Sequence, residues 1–360
     1  MMKIISIANQ KGGCGKTTTA INLVSSLGAN GQKVLLIDLD PQAHATLGLN
    51  CDDQNSIYNV ISNITPRKLS IRDIIQTVNE HFDIVPSNVL VGTLEQELAD
   101  EIGREMKLLE VLSGLKEAYD YVIIDCPPSL GFLTVNALRA SHEVIIPVET
   151  SRFSVQGVDH LMDIINLIRD RLDHPVEPKV LITMFDSRLR HSFSMMSKIK
   201  DKFGGMLLDT IIHVNVKLKE AAVSGKTVLA YDKYCRGAKD YGQLAKELLM
   251  RANGKRPEFS LKMRETISQK MEEIAQARFA VQAPAAQSVY VAGNFNDWSI
   301  SEDFRLKREG DVWNLSVPLK AGAYEYQFII DGRWQPDPAN PRKVQNGLGD
   351  MNSLLEVAHG

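Results

Sequence analysis

A chain of 360 residues exceeds the usual size of one hydrophobic core, so more than one domain is expected. Its 44% hydrophobic and 24% charged residues are those of a soluble globular protein, which excludes a disordered or fibrous chain, and no apolar run is long enough to cross a bilayer. A formal net charge of -3 advertises no nucleic-acid partner, and four scattered cysteines (Cys14, Cys51, Cys126, Cys235) without a C-x-x-C pair argue for a reduced, cytoplasmic compartment with neither structural zinc nor disulfides.

Met1-Met2-Lys3 runs straight into an apolar stretch, Ile4 to Ala8, so no leader is expected. Next comes Asn9-Gln10-Lys11-Gly12-Gly13-Cys14-Gly15-Lys16-Thr17-Thr18-Thr19, and then a helical pattern through Ala20, Leu23, Val24 and Leu27. Strand, glycine loop and helix in this order make a phosphate cradle: the glycines let successive N–H groups point at phosphate oxygens, and the helix adds its positive end. Lys16 is placed for the β/γ-phosphates and Thr17 for Mg²⁺. Cys14, near a helix N-terminus, is either a thiol of lowered pKa or simply a small residue tolerated in the loop.

The loop lacks the usual glycine six residues before Lys16, where Gln10 stands, and carries a second lysine, Lys11. The form K-G-G-x-G-K-T-T resembles the deviant Walker A motif of the ParA/MinD family of ATPases. That resemblance implies an α/β P-loop NTPase fold, with a mainly parallel sheet covered by helices on both faces, and ATP with Mg²⁺ as ligands. It implies phosphate contacts from Lys11, Gly12, Gly13, Cys14, Gly15, Lys16, Thr17 and Thr18. It also implies an ATP-bound homodimer in which Lys11 reaches the partner's nucleotide.

Further along, Val34 to Ile37 reads as a buried strand ending at Asp38-Leu39-Asp40-Pro41-Gln42. Carboxylates at such a strand end lie where ligands bind in open α/β sheets. By itself the run is also compatible with a plain polar turn. It resembles the family's second motif, which implies that Asp40 orients the attacking water. Leu94, Leu98, Ile102, Met106, Leu109 and Leu112 predict one helical face, and Tyr121 to Ile124 ends in Asp125, a Walker B arrangement with Asp125 near Mg²⁺, through water. Strands are predicted around Val144 to Val148, Val180 to Met184 and Thr210 to His213, with a helix from Val158 to Leu172.

The segment Ile212 to Ala221 is similar to the family's adenine-contacting stretch. His213 and Val214 replace its proline and arginine, while Asn215 is retained, which implies an adenine contact by Asn215 and leaves base preference open. Arg188, Lys217 and Arg236 match positions that line DNA in chromosome-partition members, and each taken singly is equally compatible with a solvated surface. The resemblance spans residues 1–250. It implies nonspecific DNA as a partner, nucleoid association in the ATP state, and a ParB-like protein that stimulates slow hydrolysis.

Residues 251–282 read as a linker with a helix through Ile267, Met271 and Ile274; being internal and mixed in charge, that helix is not expected to target a membrane. From 283 to 360, short β-type runs between Gly, Asn, Asp and Pro clusters predict an all-β, immunoglobulin-like sandwich, with Trp313 in its core. Val289 to Trp298, Gly322 to Trp334 and Asp337-Pro338 resemble the glycogen-binding module of AMP-activated protein kinase β-subunits. Trp298 and Trp334 sit beside turn residues where an aromatic face can stack on a sugar. The resemblance implies sugar contacts from Trp298, Trp334, Leu348 and Asn352, with Gln327 standing where glycogen-binding members carry lysine. A ParA-like switch that positions a chromosome, plasmid or polysaccharide-linked cargo is the reading favoured. The alternative is a nucleotide-gated regulator of carbohydrate metabolism that acts without DNA.

Overall fold

The computed structural model describes residues 2–115, 118–151, 154–254, 274–346 and 349–357. Its chain divides into two compact units, Met1–Leu261 and Lys262–Gly360.

The first unit is built on eight strands: β1 (Lys3–Ile7), β2 (Val34–Asp38), β3 (Gln76–Asn79), β4 (Phe82–Val85), β5 (Tyr121–Asp125), β6 (Glu143–Glu149), β7 (Glu177–Phe185) and β8 (Leu207–His213). They lie in the order β3-β4-β2-β5-β1-β6-β7-β8, all parallel except β3. Val34 to Ile37 and Tyr121 to Ile124 are apolar and buried at every position, as strands must be when helices cover both faces of a sheet. Helix α1 (Lys16–Gly28) buries Ala20, Leu23, Val24 and Leu27 completely. Each larger side chain of that set contributes about 1.5–3 kcal/mol relative to exposure.

Because the strands are parallel, their carboxyl ends share one edge of the sheet. The chain reverses its direction of winding at β1, between β5 and β6, which opens a crevice at that edge. The far edge strand, β8, is covered by the helix Arg236–Ala252: the buried Glu247 carboxylate accepts the Asp209 and Thr210 N–H groups (both 2.9 Å), and Asp240 accepts that of His213 (2.9 Å).

Two local expectations differ from the structure. The single helix through Leu94 to Leu112 is broken into Leu94–Glu97, a 3₁₀ turn Arg104–Met106 and Lys107–Ser113. Gly103 takes φ +77, which ends any continuous helix there, and Ile102 is fully exposed instead of facing the core. The linker is also shorter than expected. Residues 274–282 form β9 (Ile274–Gln282), whose buried Ala277, Phe279 and Val281 follow the period of a strand, so Ile274 belongs to a sheet rather than a helix. Ile267 and Met271 fall outside the described residues.

The second unit continues with β10 (Val289–Gly293), β11 (Lys307–Glu309), β12 (Val312–Lys320), β13 (Gly322–Ile330), β14 (Arg333–Gln335), β15 (Lys343–Gln345) and β16 (Met351–Val357). One antiparallel sheet runs β10-β13-β16-β15 with β14 against β13, and the other runs β11-β12-β9. Phe279, Val289, Val291, Trp313, Tyr326 and Phe328 form the core between them, with Trp313 donating its indole N–H to the Ala283 carbonyl at 3.0 Å.

Candidate functional site

The loop after β1 is held before any ligand arrives. Asn9 donates to the Pro147 carbonyl (2.7 Å) and accepts the Lys11 N–H (3.1 Å), while Thr183 at the end of β7 donates to the Cys14 carbonyl (2.8 Å). Gly13 and Gly15 take φ +75 and +91, a left-handed backbone that glycine adopts without steric cost. This curls the loop so that α1 begins at Lys16. Its ammonium lies 3.3 Å from the Lys11 carbonyl, folded over the loop it would share with a phosphate.

Cys14 is fully buried, its thiol donating to the Lys11 carbonyl at 3.1 Å. Burial pushes that thiol up, and the nearby Lys16 charge and backbone N–H groups only partly oppose it. The lowered-pKa reading of Cys14 is therefore corrected, since desolvation outweighs the helix end. Lys11 is paired within its own chain: its ammonium lies 2.6 Å from Glu149 Oε2 and 2.9 Å from Ser151 Oγ.

Three carboxylates gather beside Lys16. Asp38 and Asp125 are register partners at the ends of β2 and β5, both fully buried, and Asp40 follows on the loop, 7% exposed. Burial pushes the Asp38 carboxyl up to about 6, against hydrogen bonds from Thr46 and the Asp40 N–H. Asp125 is raised well above the usual carboxylate range by burial and then by the Asp38 charge. Neither Asp125 oxygen has a well-formed hydrogen bond among the described residues, though the Thr17 hydroxyl and Lys16 lie close enough to favour its charged form. Such an under-satisfied buried carboxylate beside a hydroxyl is an all-oxygen donor set that suits Mg²⁺. No group of three or more His, Cys, Asp or Glu that could hold a metal ion occurs among the described residues.

Gly12, Gly13, Gly15, Lys16, Thr17 and Thr18 line a cleft of about 590 Å³ together with Asp40, Gln42, His44, Pro128 and Met184. Ile21, Leu218, Ala222 and Lys226 line it as well. Asn215 is not among the lining residues; its side chain accepts the Lys217 N–H (3.1 Å) and caps the helix Val216–Val223. The three basic residues matched to DNA contacts are all engaged by carboxylates. Arg188 forms a two-point pair with Asp186 (2.9 and 2.7 Å), Lys217 meets Glu220 (2.8 Å), and Arg236 lies 3.6 Å from Asp240 and 2.8 Å from His213 Nε2.

In the second unit, the Trp298 and Trp334 rings lie 6.3 Å apart, inclined at 42°, with Trp334 45% exposed. Asp297 and Trp298 take φ +52 and +56, unusual for residues of this size and held by local bonds. Asn296 accepts the Gly293 N–H (2.9 Å) and donates to the Ser299 carbonyl (3.1 Å), and the Trp298 N–H donates to Gly293 (3.0 Å). Asn352 is only 2% exposed: Gln327 donates to its Oδ1 (2.8 Å), and its own amide donates to Glu325 (2.8 Å). It thus supports the sheet face from within. Leu348 lies outside the described residues.

The sequence reading did not single out Glu149 or the lining residues Ala222 and Lys226; Leu218 falls within the stretch matched to adenine contact. Glu149 had a readable signal, a carboxylate closing the apolar run Val144 to Val148 as Asp38 and Asp125 close theirs. The lining helix residues had none, because only the tertiary fold brings them beside α1.

Residues 2–178 match the family model described as an AAA domain, and residues 279–360 match the model described as the glycogen recognition site of AMP-activated protein kinase. Over 259 residues, 71% of this chain and 100% of the relative, the chain is 40% identical to the sporulation initiation inhibitor protein Soj of Bacillus subtilis (strain 168). It is 37% identical to the chromosome partitioning protein ParA of Myxococcus xanthus (strain DK1622) over 260 residues, 71% of this chain and 90% of that one. Among solved structures it resembles cobyrinic acid a,c-diamide synthase from Mycobacterium smegmatis with bound ADP and magnesium. The TM-score there is 0.62 at 30% identity, covering 71% of this chain and 98% of the other.

Proposed function

The chain belongs to the ParA/Soj family of partitioning ATPases and carries a C-terminal carbohydrate-binding module, and from that pairing we propose a Mg²⁺-dependent ATP switch that positions a cargo. One observation carries the reading: Lys16, Thr17 and Asp40 line one cleft with room for a nucleotide at the carboxyl ends of a parallel sheet, with Asp125 buried close to Thr17 and Lys16.

In this reading the loop N–H groups and Lys16 bind the β/γ-phosphates, and Asp40 orients the water that attacks the γ-phosphate. The Thr17 hydroxyl and Asp125 would hold Mg²⁺, which would supply neutralisation of the phosphate charge. Lys11 leaves Glu149 and reaches the nucleotide of a second copy, so that two chains close around ATP. The closed dimer holds nonspecific DNA through salt-sensitive contacts to phosphates, and a ParB-like partner triggers hydrolysis and release. The sandwich attaches an α-glucan through Trp298 and Trp334, which would make a polysaccharide-linked body the cargo.

The formal net charge of -3, with no overall excess of basic residues, favours a second reading, a nucleotide-gated regulator of carbohydrate metabolism that does not hold DNA. Retention on DNA with ATP, for wild type and Asp40→Ala, separates the two. The first requires a complex that needs ATP, weakens steeply with salt and persists longer in Asp40→Ala; no ATP-dependent retention at low salt leaves the second.

A further inference from the structure

We propose that Thr46 and Ser87 form a clamp that positions Asp40 for hydrolysis; this rests on the assignment of Asp40 as the residue that orients the attacking water. Asp40 sits beyond the end of β2 on a loop without regular structure, yet a water-orienting carboxylate must be held to a fraction of an ångström. Its backbone is gripped on both sides. The Asp40 N–H donates to Asp38 Oδ1 at 3.1 Å, and the Asp40 carbonyl accepts the Ser87 hydroxyl at 2.7 Å.

The two grips are joined. Asp38 Oδ2 accepts both the N–H (2.9 Å) and the hydroxyl (2.8 Å) of Thr46, and Thr46 Oγ1 accepts the Ser87 N–H at 3.0 Å. The bonds close a ring through Asp40, Asp38, Thr46 and Ser87. Asp38, Thr46 and Ser87 are all 0% exposed, so every bond in the ring is shielded from competing water.

A carbonyl next to a turn is normally satisfied by a nearby residue or by solvent. The Asp40 carbonyl has such a local donor, the Ala43 N–H at 2.8 Å, and its carboxylate accepts the Gln42 N–H at 2.9 Å; Ser87 adds a second donor from the loop after β4, which β2 brings alongside, so the catalytic loop is tied to the sheet as well as to itself. Thr46 and Ser87 do not line the nucleotide cleft. Their bonds run to Asp38, to each other and to the Asp40 backbone, so their influence on the reaction runs through the position of Asp40, and they are positioning residues. Asp38 is a poorer probe because it also repels Asp125.

The test uses the full chain with ATP and Mg²⁺, measuring steady-state hydrolysis, nucleotide affinity and Tm for Ser87→Ala, Thr46→Val, Thr46→Ser and Asp40→Ala. Ser87→Ala and Thr46→Val are expected to lower kcat by about tenfold or more with nucleotide affinity within about twofold, and Thr46→Ser to restore kcat. Ser87→Cys, which fills the same space with a weak donor, replaces the alanine variant if that does not fold. The clamp is overturned if both variants keep kcat within about twofold of wild type while Asp40→Ala is inactive, or if affinity falls in step with kcat. An Asp40→Ala protein that hydrolyses ATP normally removes the assignment of Asp40 itself, and the clamp with it.

Discussion

At the scale of single residues, the site is electrostatically unfavourable until it is filled. Asp38 is pushed up to about 6 from an ordinary value of ~4 by burial, so it binds protons more tightly folded than unfolded. Its contribution to stability is complete below pH ~4 and is lost as pH rises through about 6, and Asp125 is shifted the same way. Nucleotide-free protein is therefore expected to melt at higher temperature at pH ~5 than at pH ~7.5, and Asp38→Asn to flatten that difference. Asp125→Asn should raise the Tm at neutral pH by a few degrees and abolish Mg²⁺-dependent nucleotide binding. Calorimetry with and without Mg²⁺ checks both, and a lowered Tm would show that burial of the Asp125 charge is compensated.

Lys11 illustrates the opposite case. Its pair with Glu149 is about one-third exposed on both sides and is worth about 1 kcal/mol at most, a weak tether that the proposed contact with a second copy can replace. Lys11→Ala is expected to stay monomeric with ATP when mass is read by light scattering; an ATP-dependent dimer of this variant would contradict contact across subunits.

At the scale of elements, the helix Arg236–Ala252 decides whether β8 is a safe edge. Glu247 is fully buried, accepts two strand N–H groups and the Thr210 hydroxyl, and pairs with Arg251 at 2.8 Å. Glu247→Ala leaves those donors unpaired and Arg251 with Asp209 alone (3.3 Å), and is expected to cost about 2–4 kcal/mol, read as a lower urea midpoint with little change in slope. The apolar face of this helix was legible in Tyr241, Leu244 and Leu248. Asp240 and Glu247 were not, because two acidic residues seven apart look like a solvated face until a strand is placed beneath them.

At the scale of the whole molecule, two units with separate cores make separable activities the expectation. The double variant Trp298→Ala/Trp334→Ala is expected to lose cosedimentation with glycogen while hydrolysing ATP like wild type, since stacking contributes about 0.5–1.5 kcal/mol per ring beyond area burial. Unchanged cosedimentation would remove the tryptophan platform from the reading. No helix among the described residues is long and apolar enough to cross a membrane.

By itself the sequence determined the phosphate loop, the alternation of buried strands with helices, and the change to short strands near the chain's end. These are local signals: glycine placement, hydrophobic period, and carboxylates closing apolar runs. Only the tertiary structure decided that Lys11 meets Glu149, that Ser87 ties down Asp40, that Asn352 is buried beneath Gln327 and Glu325, and that residues 274–282 complete a sheet. Each of these joins residues distant in sequence or set by register, and a hydrogen bond or a buried charge acquires its partner only when packing has brought the two together.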